Sequence, residues 1–109
     1  MKLIYLHGFA SGPMSGKAQF FQRRFGEIAV DMEIPDLSEG HFETLTISGQ
    51  LRVIERAAIG QDDVRLIGSS MGGYLAALYA ARHPEVSRVM LMAPAFGFAR
   101  RWPLRLGEE

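Results

Sequence analysis

The pentapeptide Gly68-Ser69-Ser70-Met71-Gly72 constrains the fold of this chain more than any other feature. It stands between the apolar run Val64-Arg65-Leu66-Ile67 and a helical-looking segment, Tyr74-Leu75-Ala76-Ala77-Leu78-Tyr79-Ala80-Ala81. A chain that passes from strand to helix over so few residues must turn sharply. Ser70 is then held in a strained backbone conformation with its hydroxyl above the sheet edge. A side chain at Gly68 or Gly72 would collide with the neighbouring strand or helix, which is why both positions call for glycine. G-x-S-x-G in this setting is the pattern of a nucleophile elbow, which presents a serine hydroxyl to an acyl carbon. The plainer reading of Ser70 is a small residue at a tight turn. The correct neighbours on both sides favour the nucleophile.

The rest of the chain alternates between the two periods. Lys2–Leu6 is a short β-rich run, and the glycines and proline from Gly8 to Gly16 make the next stretch a loop. Lys17–Ile28 carries Phe20, Phe21, Phe25 and Ile28 as a helical stripe. Ala29–Pro35 alternates as a strand, with the proline ending it, and a polar loop runs over Asp36–Glu43. Leu45–Ile59 places Leu51, Ile54 and Ala58 at helical spacing, with Gly60 as its C-cap. Val64–Gly68 is the third strand and Met71–Arg82 the third helix, stopped before His83-Pro84. Val89–Ala93, with Val86 leading in, is the fourth strand. The order β-α-β-α-β-α-β predicts an α/β fold: three layers, α/β/α, around a parallel sheet with right-handed crossovers.

Composition removes several classes of function. The chain has 109 residues, enough for one modest core, and we expect a single domain over 1–109. Twelve basic and twelve acidic residues cancel, leaving no electrostatic footprint for nucleic acid. No apolar run approaches the ~20 residues of a membrane span, so no membrane partner is expected. Met1–Leu6 is too short for a signal-peptide core. With no cysteine there are no disulfides or thiolate metal sites, which agrees with a cytoplasmic protein. No metal is expected.

The loop after the first strand has two readings. Gly16-Lys17 between a strand and a helix suggests a P-loop, but G-x-x-x-x-G-K-[ST] needs glycine at position 11 and a hydroxyl at position 18. Ser11 and Ala18 stand there instead, so the nucleotide reading fails. The better reading makes Leu6-His7-Gly8-Phe9 an oxyanion loop. A tetrahedral acyl-transfer intermediate carries a full negative charge on oxygen, and two backbone N–H groups in a sheltered site stabilise it by several kcal/mol. The natural pair is the N–H of Phe9 and that of Met71 at the positive end of the third helix. Gly8 allows the close approach.

Tyr5-Leu6-His7-Gly8-Phe9, then Ser11, Pro13, Ser15, Lys17 and Ala18, with Gly68–Tyr74 and Ala93-Pro94-Ala95, resembles the YqiA-type family of small bacterial esterases in the α/β-hydrolase superfamily. The resemblance covers essentially the whole chain. It implies Ser70 as nucleophile, Phe9 and Met71 as the oxyanion hole, short acyl esters or thioesters as substrates, and no cofactor. It also implies that the four strands stand in the spatial order 2-1-3-4. Family members continue past the length of this chain, with acid and base in the order Ser…Asp…His after two further strands. On that basis this chain is a truncated hydrolase core. Residues 95–109 begin the cap or connecting segment, and the triad acid and base lie outside the sequence.

None of the three histidines reads as a substitute base. His7 is a structural histidine within its loop, His41 a rim residue, and His83 a helix C-terminal group explained by the dipole. Asp36 reads as a loop-turn carboxylate. Ser69 is a buried or turn hydroxyl. Met14 and Met71 are acyl-pocket residues or gap-fillers, the latter at least as well supported. Arg100, Arg101 and Arg105 around Trp102 suggest an amphipathic lid segment more than a site for an anion. A non-catalytic core that only folds or associates is the alternative function. The fourth strand is nearly all apolar but becomes a sheet edge here. We expect it to pair with another copy, giving a homo-oligomer, or to be covered by Phe96–Leu106.

Overall fold

In the computed structural model, residues 1–8, 13–38 and 46–92 are described. Four strands, β1 (Lys2–Leu6), β2 (Met32–Glu33), β3 (Val64–Ser69) and β4 (Val86–Met92), form one sheet in the order β2-β1-β3-β4. Every neighbouring pair is parallel. The class and strand order are those expected from the sequence. Three helices connect them: α1 (Gly16–Gly26), α2 (Ile47–Ala57) and α3 (Met71–Arg82). All four strands therefore end at the same edge, where the loops after β1, β2 and β3 gather.

The core divides over the two sheet faces. Ile4, Leu6, Val64 and Leu66 point to one face and pack with Val53 and Ile54 of α2 and Met71, Leu75, Ala76 and Tyr79 of α3. Leu3, Tyr5 and Ile67 point to the other, with Ala18, Phe21 and Phe25 of α1 against them. This alternation along each strand is the period-two consequence of the pleat. It makes β1 and β3, covered on both sides, the apolar centre.

Several boundaries differ from the sequence reading, each for a local reason. Helix α1 stops at Gly26 because the chain turns over residues 27–29. Ala29 adopts a left-handed φ of 61°, and the Val30 N–H returns to the Phe25 carbonyl at 2.9 Å. Ile28 therefore leaves the packing stripe, at 68% exposure, while Phe20, inside the helix, sits on its outer side at 46%. The same turn consumes the start of the expected second strand, so only Met32 and Glu33 pair, with Leu3 and Ile4. Helix α2 starts at Ile47, where the Thr46 hydroxyl accepts from the Gly49 N–H at 2.9 Å. Its cap is Ala58, and Gly60, at φ 77°, lies in the turn beyond. Leu45 falls outside the described residues. Helix α3 keeps its expected bounds, since His83 before Pro84 is extended. Strand β4 starts three residues early, at Val86, with an irregularity that slips Ser87 past β3.

Among the described residues no helix is long and apolar enough to cross a membrane. Strand β4 has no partner on its outer side within the described sheet, and Val89, Met90 and Leu91 are exposed.

Candidate active site

The common edge of the sheet brings together the ends of β1 and β3 and the starts of α1 and α3. Ser70 stands between β3 and α3 with φ 54° and ψ −118°. For a residue with a Cβ this is a strained conformation. Its backbone is over-determined: the N–H donates to the Met92 carbonyl at 2.9 Å, and the carbonyl accepts from Gly73 at 3.0 Å and Tyr74 at 3.3 Å. Its side chain makes no capping bond and the residue is exposed. The hydroxyl is thus presented at the edge while the backbone beneath it is fixed.

The turn leaves no room for side chains beside it. A Cβ on Gly68 would sit 2.6 Å from the Cα of Gly73 in the first turn of α3. One on Gly72 would sit 2.5 Å from the Leu6 carbonyl carbon and 2.8 Å from the His7 oxygen, so α3 starts directly against the end of β1. Gly8 follows at that end. A Cβ there would lie 3.3 Å from the Ser70 Cβ and 3.9 Å from its Oγ. Gly8 therefore stands beside the serine side chain.

Met71 is the first residue of α3, so its N–H has no acceptor within the helix and stands at the positive helix end. Its side chain is in the core at 1% exposure, which makes it a core filler and not a pocket residue. Met14 is 79% exposed, with the Gln19 amide 3.7 Å from its sulfur. Phe9, the expected second oxyanion donor, lies outside the described residues, as do Ser11, His41, Trp102 and the three arginines near it.

His7 ties two loops together. The Leu37 N–H donates to Nε2 at 2.9 Å, and Nδ1 lies 3.1 Å from the Gly8 carbonyl. A nitrogen that accepts from a backbone N–H carries no proton, so Nδ1–H is the donor to Gly8. Both ring nitrogens are committed, and the ring is buried at 4% exposure. Asp36 turns inward on its own loop, with Oδ1 accepting from the Ser38 N–H at 3.1 Å and its hydroxyl at 2.8 Å. His83 caps the far end of α3, stacked on Tyr79 with ring centroids 3.7 Å apart and Nδ1 2.8 Å from the Tyr79 carbonyl. That end lies about 18 Å along the helix axis from Ser70.

Ser69 is buried at 7% exposure, and its Oγ accepts from the Lys17 ammonium at 3.3 Å. Burial pushes the Tyr5 hydroxyl above its ordinary range, and the Ser69 hydroxyl draws it partly back. Lys17 has a part here that residue-by-residue reading missed. No local pattern could reveal it, because 52 residues separate Lys17 from Ser69. Among the described residues no group of three or more His, Asp or Glu side chains could hold a metal.

A parallel sheet in this order, with a strained serine between a central strand and its following helix, defines the core of an α/β-hydrolase fold. A crystal structure from Xanthomonas campestris pv. campestris, provisionally described as a hydrolase of the alpha/beta superfamily, superposes with a TM-score of 0.70 at 30% identity. The match covers 85% of this chain and 58% of that one. Residues 2–109 match the sequence profile of the Uncharacterised protein family (UPF0227), and the chain belongs to that family, the YqiA-type group. Among curated proteins, monoacylglycerol lipase abhd6-B of Xenopus laevis is 30% identical over 85% of this chain and 30% of its own length. The 1-acylglycerol-3-phosphate O-acyltransferase ABHD5 of Sus scrofa is 31% identical over 91% and 31%. The chain spans less than a third of these curated relatives.

Proposed function

We propose that this chain carries the nucleophile and oxyanion hole of a serine hydrolase acting on carboxylic esters or thioesters with short to medium acyl groups. The observation that carries this reading is the backbone of Ser70, at φ 54° and ψ −118°, with the hydroxyl exposed above the sheet edge. Strain of this kind persists where the surroundings enforce it, and it clusters at functional turns. The names of the relatives, a lipase and an acyltransferase, agree with acyl chemistry.

In this mechanism Ser70 Oγ attacks the acyl carbon and the carbonyl oxygen becomes an oxyanion. The Met71 N–H, supported by the dipole of α3, and the Phe9 N–H stabilise it. The intermediate collapses with loss of the alcohol or thiol, and water then hydrolyses the acyl-enzyme. Accepting the Ser70 proton requires a base. His7 has both nitrogens engaged and His83 lies at the other end of α3. The base and its acid partner therefore come from outside the described residues. No cofactor enters the reaction.

Ser70→Ala is expected to abolish p-nitrophenyl ester hydrolysis while the circular dichroism stays that of the parent. A fluorophosphonate should label the parent stoichiometrically at Ser70, read by intact mass and peptide mapping. Retained activity in Ser70→Ala, with loss in Ser69→Ala, would overturn the assignment. The exposed apolar surface of β4 favours a second reading, a core that folds and associates without catalysis. A parent protein that neither labels nor hydrolyses would support it.

A further inference from the structure

We infer that Lys17 is a positioning residue for the nucleophile, acting through Ser69. The elbow is held very differently on its two sides. On the α3 side, backbone packs against backbone at Gly72 and Leu6. On the other, α1 packs its aromatic stripe against β1 and β2, through Phe21 against Tyr5 and Phe25 beside Met32. Lys17 is the link from α1 to the residue that precedes the nucleophile.

The tie is directional. An ammonium only donates, so Ser69 Oγ accepts from Lys17. Ser69 is 7% exposed, so its hydroxyl is shut away from water and Lys17 holds it there. With its rotamer fixed, the Ser69–Ser70 peptide is fixed too, and with it the departure of Ser70 into its strained conformation. Lys17 can hold such a position because its own turn is set. Ser15 Oγ accepts from the Ala18 N–H at 3.2 Å, the Gln19 amide donates to the Pro13 carbonyl at 2.9 Å, and Ala18 is fully buried against the sheet. Among the described residues no carboxylate pairs with Lys17.

This inference rests on Ser70 as nucleophile, and two readouts keep the failures of the two ideas apart. The first is the rate of fluorophosphonate labelling and ester turnover in the protein as it exists. Lys17→Met and Ser69→Ala should each slow both by about 10- to 100-fold, in kcat and not in KM, as a small misplacement of a reacting group does. The double variant should be no slower than the slower single, because both remove one tie. Lys17→Arg, which keeps charge and donor, should recover most of the loss. Multiplying effects in the double variant, or a Lys17→Met protein with parental rates, would overturn the inference. The second readout is hydrogen exchange of the Ser70 amide, protected by its bond to the Met92 carbonyl. Lys17→Met should speed it by about 10-fold while the amides of α2 keep their rates, a local opening and not a global one. If the parent protein does not label, the nucleophile reading fails while exchange still decides the tie: unchanged Ser70 exchange overturns it.

Discussion

Gly68 of β3 and Leu91 of β4 are register partners in neighbouring parallel strands, and their surroundings are opposite. Gly68 is buried with α3 so close that no Cβ fits. Leu91 is 38% exposed, and its strand has no partner on the outer side among the described residues. Both strands are rich in apolar residues. What separates them is the second layer: β3 has α3 above it and β1 beside it, whereas β4 has α3 contacts on one face and, among the described residues, no strand on its outer side. Apolar sequence marks a strand as built for an interior. It does not supply the cover.

The sharpest way to break this contrast is at the crowded end. Gly72→Ala places a methyl within 2.5 Å of the Leu6 carbonyl carbon, backbone that cannot swing aside. We expect a loss of about 3 kcal/mol or more in urea unfolding, or no folded protein. A loss below about 1 kcal/mol would mean that β1 and α3 are not in the contact described. Gly8→Val comes next. Its Cβ would press on the Ser70 Cβ at 3.3 Å, tight but beside side-chain atoms, so the fold should survive. Turnover should fall by roughly 10²-fold through displacement of the oxyanion loop. Normal turnover in a folded Gly8→Val protein would remove Gly8 from the site. The smallest change in stability belongs to β4. We propose that this edge joins copies of the chain, and light scattering at low micromolar concentration should give a mass above that of one chain. Leu91→Lys should restore the monomer mass and shift unfolding by no more than about 0.5 kcal/mol, as expected for an exposed position. A concentration-independent monomer in the parent protein would refute the association.

The same contrast explains what could be read from the sequence. Helix α3 and strand β3 were legible almost to the residue because glycines and His83-Pro84 punctuate them locally. The second strand is shorter than its alternation suggests, since Ala29 takes a left-handed turn normally signalled by glycine or asparagine. Of the helical stripe, Phe21 and Phe25 face the sheet, whereas Phe20 sits on the outer side of the helix and Ile28 lies beyond its early end. The contacts that shape the site are non-local. Leu37 reaches His7 across 30 residues and Lys17 reaches Ser69 across 52, and neither pair leaves any trace in spacing. Local grammar drew the elements, and the polar ties between them came only with the fold.

The conformation of Ser70 has one more consequence. Its φ of 54° and ψ of −118° lie where glycine is at ease and every other residue is strained. Ser70→Gly is therefore expected to raise the free energy of unfolding by about 1 kcal/mol over the parent, while Ser70→Ala, which keeps its Cβ, should not. A lineage under pressure only to stay folded would drift toward glycine at this site. Stability of the fold alone does not call for a hydroxyl at this position.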